Sequence, residues 1–165
     1  MVDVVDSATR SRMMSGIRSK NTKPEKQIRS ALHRLGFRFR LNQASLPGKP
    51  DLVFKKYNAV IFVHGCFWHG HECRLFKWPS SNTVFWHSKI ELNRTRDADA
   101  LRELKKAGWR VMVIWECALK GKAQMAQFPK IVDNVSSWLL GSGTSYKQIT
   151  GKQQHGAKST GRNSQ

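Results

Sequence analysis

The 165-residue sequence is short of acids, of cysteine and of long apolar runs. No stretch approaches the roughly 18 apolar residues that a spanning helix needs, so no membrane segment is expected. The first residues, MVDVVDSATR, lack the apolar core of a secretory signal, and a cytoplasmic protein is the expectation. Three cysteines is an odd number, which excludes a fully paired disulfide framework. In a reducing compartment, thiols near histidines read better as metal ligands. Only 11 Asp and Glu stand against 29 Lys and Arg, a formal charge of +18. Such an excess says little about fold and much about partners. A polyanion is the natural one, nucleic acid before a membrane surface, which adds association with the nucleoid to the expected location. The length suits one domain with a single core, and a monomer is expected from size alone.

What is present reads as alternating helices and strands. Thr22 and Glu25 make a capping box with Pro24 in the first turn. Ile28, Ala31, Leu32 and Leu35 follow at helical spacing, and Gly36 ends the helix. Phe37, Phe39 and Leu41 alternate with Arg38 and Arg40 as a half-exposed strand. Two apolar runs, Asp51–Phe54 and Ala59–Val63, are separated by KKYN, a hairpin signal, and the Ala59–Val63 run reads as buried on both faces. Asn82 is the expected cap of a long basic helix reaching about Ala107. Trp109–Trp115 is an apolar strand, and a last helix runs from about Gln124 to Leu140, with Pro129 as its true start or a kink. From Gly141 the composition turns to Gly, Ser, Gln and Lys, with four basic residues and no acids, and disorder is expected. The pattern predicts an α/β sandwich around a mixed sheet. The organisation expected is a basic arm over 1–20, a folded domain over 21–140 and a basic tail over 141–165.

Two clusters carry chemistry. Cys66, His71 and Cys73 fall as C-x4-H-x-C, and Cys117 lies just past the Trp109–Trp115 strand. If that strand neighbours Ala59–Val63, the four make a closed Cys3His structural zinc site. His69 is the alternative histidine ligand, and three buried free thiols are the alternative without metal. The other cluster begins at Pro50-Asp51, a carboxylate at a strand start beside a hairpin. Many metal-dependent nucleases hold Mg²⁺ against a phosphate in this way. The usual acid-x-Lys on the next strand is missing, and Val63, His64 and Gly65 stand in its place.

That departure, with PGKPD at 47–51, VIFVHGCFWHGHEC at 60–73, GWRVMVIWECAL at 108–119, ATRSRMM at 8–14 and Phe85-Trp86, resembles the very-short-patch repair (Vsr) DNA mismatch endonucleases over roughly residues 6–141. The resemblance implies a restriction-endonuclease-like fold, three layers with a mixed central sheet flanked by helices. It implies Mg²⁺-dependent hydrolysis of one strand of duplex DNA at a T:G mismatch, 5′ to the mispaired thymine, as arises when 5-methylcytosine deaminates. Other mismatch-repair proteins are the further partners it suggests. By the same resemblance Asp51 is a Mg²⁺ ligand, with the backbone carbonyl of Val63 as another. His69 orients or deprotonates the attacking water, a task suited to a neutral imidazole. His64 contacts a phosphate or the leaving group, and Glu25 orients a water on the metal or a histidine. Cys66, His71, Cys73 and Cys117 match the zinc ligands. Glu25 also has a local explanation as the capping-box acid. Asp97 is expected to pair with Arg94 or Arg96, a histidine across the site being the alternative.

A mismatch is easier to unstack than a paired step, and apolar wedges exploit this. Phe67 and Trp68 lie between Cys66 and His69, so a zinc-anchored loop would offer two adjacent aromatics. The resemblance adds Trp86, and Met14 from the arm in the other groove. Trp109, Trp115 and Trp138 are expected in the core. Basic side chains of the arm and long helix would meet phosphates, giving affinity without sequence reading. The main rival is a zinc-stabilised DNA-binding module without catalysis, which leaves Pro50-Asp51 beside His64 and His69 unexplained. A zinc hydrolase of small substrates, with His69 on the metal, is the third class.

Overall fold

The structure is a computed structural model that describes residues 20–151 together with residues 6, 8 and 9. Met14 and most of the basic arm lie outside the described residues. The chain runs α1 (Lys23–Arg34), β1 (Arg40–Leu41), β2 (Leu52–Phe54), a 3-10 turn (Lys55–Tyr57), β3 (Ala59–His64), α2 (Thr83–Lys106), β4 (Arg110–Trp115), α3 (Glu116–Leu119), α4 (Lys122–Leu140) and β5 (Tyr146–Ile149). The five strands form one mixed sheet in the order β1-β2-β3-β4-β5. The first two pairings are antiparallel and the last two parallel. Among the described residues no helix is long and apolar enough to cross a membrane.

Local chemistry sets most of these elements. Thr22 Oγ1 accepts the Glu25 N–H at 3.4 Å, and Pro24 lies in the first turn of α1, as the capping box requires. The KKYN segment closes the β2–β3 hairpin, with Asn58 at φ 47, a left-handed conformation that asparagine tolerates. Period-two alternation then divides the sheet between two cores. Leu52, Phe54, Ala59, Ile61, Met112 and Ile114 meet Ile28 and Leu32 of α1 and Val135 and Leu139 of α4. Val53, Val60, Phe62, Val111 and Val113 pack on the other face against Leu104 of α2. The result is the three-layer mixed α/β architecture expected.

Several expectations change. The stretch from Gly141 was expected to be disordered, yet Tyr146–Ile149 is a strand and Ile149 is buried in the first core. The folded unit therefore extends past 140 to Gly151, and residues 152–165 lie outside the description. The motif YKQI is half polar, and its stability as a strand comes from parallel pairing with β4 over Val111↔Tyr146 to Ile114↔Ile149. Only Arg40–Leu41 of the Phe37–Leu41 run pairs as a strand; Phe37 is buried instead and Phe39 packs on the core. α4 starts at Lys122 and runs through Pro129. The carbonyl four residues earlier belongs to Met125, which is exposed, so water can take the hydrogen bond that proline cannot. Asn82 occupies the N-cap of α2 in a left-handed conformation, without a side-chain capping bond.

Candidate active site and metal centre

The same alternation that divides the core aims the polar groups. Asp51 precedes β2 in phase with Val53, and His64 and Trp115 continue the phase of Phe62 and Val113. All three therefore sit on the α2 side of the sheet, at the ends of their strands. Asp51 Oδ2 accepts the backbone N–H of Val63 at 2.7 Å. In a β-strand the N–H and C=O of one residue point to the same neighbour, so the Val63 carbonyl shares the edge that Asp51 occupies. Burial pushes the Asp51 carboxyl up to about 7, against the pull of the Val63 N–H; the Glu25 carboxylate adds to the rise and His69 opposes it. A carboxyl that resists ionisation beside another acid is one that a divalent cation would favour. Glu25 is only 4% exposed. It accepts from the Asn21 N–H at 2.9 Å and the Thr22 hydroxyl at 3.0 Å. It thus serves as the capping acid while its charge reaches Asp51, and among the described residues none of its hydrogen bonds goes to a histidine.

His64 and His69 stack face to face, with centroids 3.7 Å apart and planes 1° from parallel. Burial, and secondarily His69, hold His64 well below the usual histidine range, so it is neutral at pH 7. Among the described residues its buried Nδ1 has no hydrogen-bond partner. His69 Nδ1 lies 2.6 Å from Asp97 Oδ2. This corrects the expectation for Asp97: it faces the histidine across the site, while Arg94 pairs with Glu91 at 2.7 Å and reaches the Gly70 carbonyl. A signal for this was in the sequence. Ile90, Asn93, Asp97, Ala100 and Leu104 recur at spacings of three and four along α2, and Ile90, Ala100 and Leu104 are buried. Asp97 therefore stands on the stripe that faces the protein, where an unpaired acid is costly.

Asn93, on that stripe, donates to the Trp68 carbonyl at 2.8 Å. Gly70 adopts φ 61, and a Cβ there would collide with Ile90 and Arg94. The loop after β3 is thus seated on α2, a role for Asn93 that the sequence reading missed.

On the other side of that loop, the ligand atoms of Cys66, His71, Cys73 and Cys117 all lie within 4.8 Å of one another. Cys117 Sγ is 3.6 Å from His71 Nδ1. Backbone N–H groups donate to all three sulfurs: Cys117 to Cys66 at 3.3 Å, Leu75 to Cys73 at 3.4 Å, and Gly151 to Cys117 at 3.3 Å. The Cys66 hydrogen bond above all, then the Gly151 N–H and His71, bring the Cys117 thiol down to about 5, while the same contact and burial push Cys66 up. Soft sulfur donors, an imidazole and amides aimed at the sulfurs are a donor set that could hold a zinc ion. It is His71 that the fold brings to the cysteines, and His69 that it turns toward His64 and Asp97.

Trp115 separates the two groups. It stacks on His71 at 4.2 Å and 12°, and meets His64 and His69 edge-on at 5.3 and 6.3 Å. As expected it packs on the core, half-buried on the α2 side of the sheet, and from there its ring also walls both groups. Trp138 is buried as expected, and Trp109 packs on the core beneath α2.

The three aromatics expected at the wedge come together. Phe67 lies 5.2 Å from Trp68 and 5.3 Å from Trp86, and Trp68 lies 5.9 Å from Trp86. All three remain half-exposed, with Phe85 exposed beside them. Lys89 and Arg96 of α2 are exposed as well.

The chain is similar to known proteins along most of its length. The model of the family described as DNA mismatch endonuclease Vsr matches residues 2–75. The DNA mismatch endonuclease Vsr of Escherichia coli (strain K12) is 45% identical over 145 residues, covering 88% of this chain and 92% of that one. The type II nicking enzyme V.XorIIP of Xanthomonas oryzae pv. oryzae is 50% identical over 119 residues, 72% of this chain and 88% of its own. The type II nicking enzyme V.NmeAIP of Neisseria meningitidis is 49% identical over 123 residues, 74% and 88%. With the site's geometry and this likeness along most of its length, the chain belongs to the DNA mismatch endonuclease Vsr family and is an endonuclease.

Proposed function

We propose that the chain nicks one strand of duplex DNA at a T:G mismatch, 5′ to the mispaired thymine, in a Mg²⁺-dependent hydrolysis. The observation that carries this reading is the Asp97–His69–His64 array, whose His69 lies within electrostatic reach of Asp51. A DNA-binding module has no use for an imidazole held this way.

Asp51 and the Val63 carbonyl would hold Mg²⁺, a hard cation suited to oxygen donors. When bound, Mg²⁺ neutralises charge developing on the phosphate and makes water easier to deprotonate. The protein's own groups do the rest. Asp97 at 2.6 Å keeps the His69 proton on Nδ1, which leaves Nε2 free to take the proton of the attacking water. As the oxygen–phosphorus bond forms, that proton moves to His69, and Asp97 stabilises the imidazolium. The bond from phosphorus to the leaving sugar oxygen then breaks, and that oxygen takes a proton from solvent to become the free hydroxyl. His64 is kept neutral by burial, so it serves as a hydrogen-bond donor to a phosphate oxygen without adding charge. Cys66, His71, Cys73 and Cys117 would hold a structural zinc, whose use is to fix the loop carrying both His69 and the aromatic wedge.

The test is a nicking assay with purified full-length chain and Mg²⁺ on duplexes that differ only in the mismatch. Cutting of the T:G duplex at least about tenfold faster than of other mismatches and of matched DNA is expected. Binding without cutting at any metal concentration would leave only the DNA-binding reading.

Two further outcomes follow from the geometry. Asp97→Asn keeps the shape but removes the charge that holds His69. It should lower kcat about 10²-fold or more, with KM changed less than about threefold. An unchanged kcat would return Asp97 to a packing role. Trp68→Ala removes one member of the wedge, and the loss should fall on recognition. Affinity for a T:G duplex should drop about tenfold, and affinity for matched DNA less than about twofold. Equal losses on the two duplexes, read by titration at fixed salt, would count against insertion at the mismatch.

A further inference from the structure

β5 and the residues just beyond it touch the cysteine cluster and the Trp115 ring that walls both clusters, although the pattern of YKQI gave them no structural role. Gln148 Oε1 accepts the Trp115 indole N–H at 2.7 Å. Trp115 in turn lies flat on His71 and edge-on to His64 and His69. Three residues on, the Gly151 N–H donates to Cys117 Sγ at 3.3 Å. The approach there is so close that a Cβ on Gly151 would collide with the carbonyl group of Cys117. Between these contacts Ile149 is buried in the core and pairs with Ile114. The strand is also tied to α4 through Lys147 and Asn134.

We infer that Gln148 and Gly151 are positioning residues: the segment Tyr146–Gly151 is a clasp that holds the Cys117 ligand at one point and the Trp115 ring at another. Gly151 sets the Cys117 sulfur by an amide hydrogen bond, in the way that outer-shell donors orient metal ligands. Gln148 fixes the tilt of the Trp115 ring, and that ring limits where the His71 and His64 imidazoles can sit. Through Trp115 the clasp couples the cysteine cluster to the histidine pair. The metal part of this inference rests on the zinc reading above.

The experiment compares full-length wild type with Gly151→Ala, Gln148→Met and Gln148→Glu. Zinc release to a chelating dye and the kcat and KM of nicking are measured on each. Gly151→Ala should release zinc about tenfold faster. Gln148→Met keeps the side-chain length and loses the acceptor; it should lower kcat about fivefold at unchanged KM. Gln148→Glu restores an acceptor oxygen and should recover most of that loss. Zinc release from Gly151→Ala at the wild-type rate, or a Gln148→Glu enzyme as slow as Gln148→Met, would overturn the clasp. Wild type that holds no zinc would sink the metal reading instead. The clasp is then tested by Cys117 alkylation with iodoacetamide, which Gly151→Ala should accelerate and which an unchanged rate would refute.

Discussion

Asp51→Asn should abolish nicking, by about 10³-fold or more, while T:G duplex binding stays within about threefold of wild type. The substitution is isosteric and keeps an oxygen for the Val63 N–H, now 2.7 Å from the carboxylate. What it removes is the charge that would hold Mg²⁺ on the scissile phosphate. Lewis-acid stabilisation of that kind is worth several kcal/mol, and about 4 kcal/mol corresponds to 10³-fold. Affinity depends mainly on phosphate contacts by basic side chains, which the change does not touch.

The same variant should be more stable than wild type without metal, and the sign follows from proton counting. The folded Asp51 carboxyl titrates near 7, above its ordinary value of 3.8, because of burial and the neighbouring Glu25. Between those values the folded chain binds more protons than the unfolded one, so raising pH removes stability. Below about 4 there is no penalty, and above about 7 it is complete. Metal-free Asp51→Asn should therefore melt a few degrees higher than wild type at pH 8, and the difference should vanish near pH 4. Adding Mg²⁺ should raise the melting temperature of wild type and leave the variant unchanged. A wild type that melts identically to the variant at both pH values would remove the electrostatic account of this site.

Cys117→Ala should cost the protein its zinc and much of its tertiary structure. Cys117 is 1% exposed, Cys66 is fully buried, and the two are joined through the Cys117 N–H. Structural zinc sites return about 10–16 kcal/mol on binding, while a whole domain is stable by about 5–15 kcal/mol. Losing a ligand on that scale exceeds any single packing defect in the core, where Leu→Ala costs about 2–5 kcal/mol. Less than about a tenth of the wild-type zinc should remain, and the melting temperature should fall by more than about 10 °C. Wild type treated with a strong chelator should show the same near-ultraviolet change, since Trp115 and His71 are stacked across the cluster. Full zinc content and full activity in Cys117→Ala would instead favour an open metal site built without it.

Much of this site could be read along the chain because its groups are close in sequence. Thr22 and Glu25 are three residues apart, and their capping box formed as its spacing requires. The zinc-like donors Cys66, His71 and Cys73 share one loop, as do Phe67, Trp68 and His69. Spacing alone leaves both His69 and His71 within reach of the cysteines, and the shape of the loop chooses between them. Hydrogen bonds from His69 to Gly65 and His71 to Cys66 curl the loop, and two histidines separated by one residue then face opposite ways.

The remainder depended on partners distant in sequence. Asp97 had Arg94 three residues away as an obvious mate, yet its partner is His69, 28 residues upstream. Only the packing of α2 on the sheet decides between them. Trp115 read as core because its strand is apolar, and it does pack on the core; that it also walls two clusters follows from the strand ending between them. β5 was invisible since YKQI has little apolar content and its support comes from β4, more than 30 residues earlier.

The sequence by itself determined the charge that selects DNA, the three-layer alternation of helices and strands, and the residue types for two separate chemistries. Periodicity, capping and ligand spacing are local properties, and they survive in a linear string. Tertiary structure alone decided that Asp97 holds His69, that Trp115 stands between the cysteine cluster and the histidine pair, and that the sheet gains a fifth strand beyond residue 140. Each of these rests on a contact between segments whose proximity is created by the core.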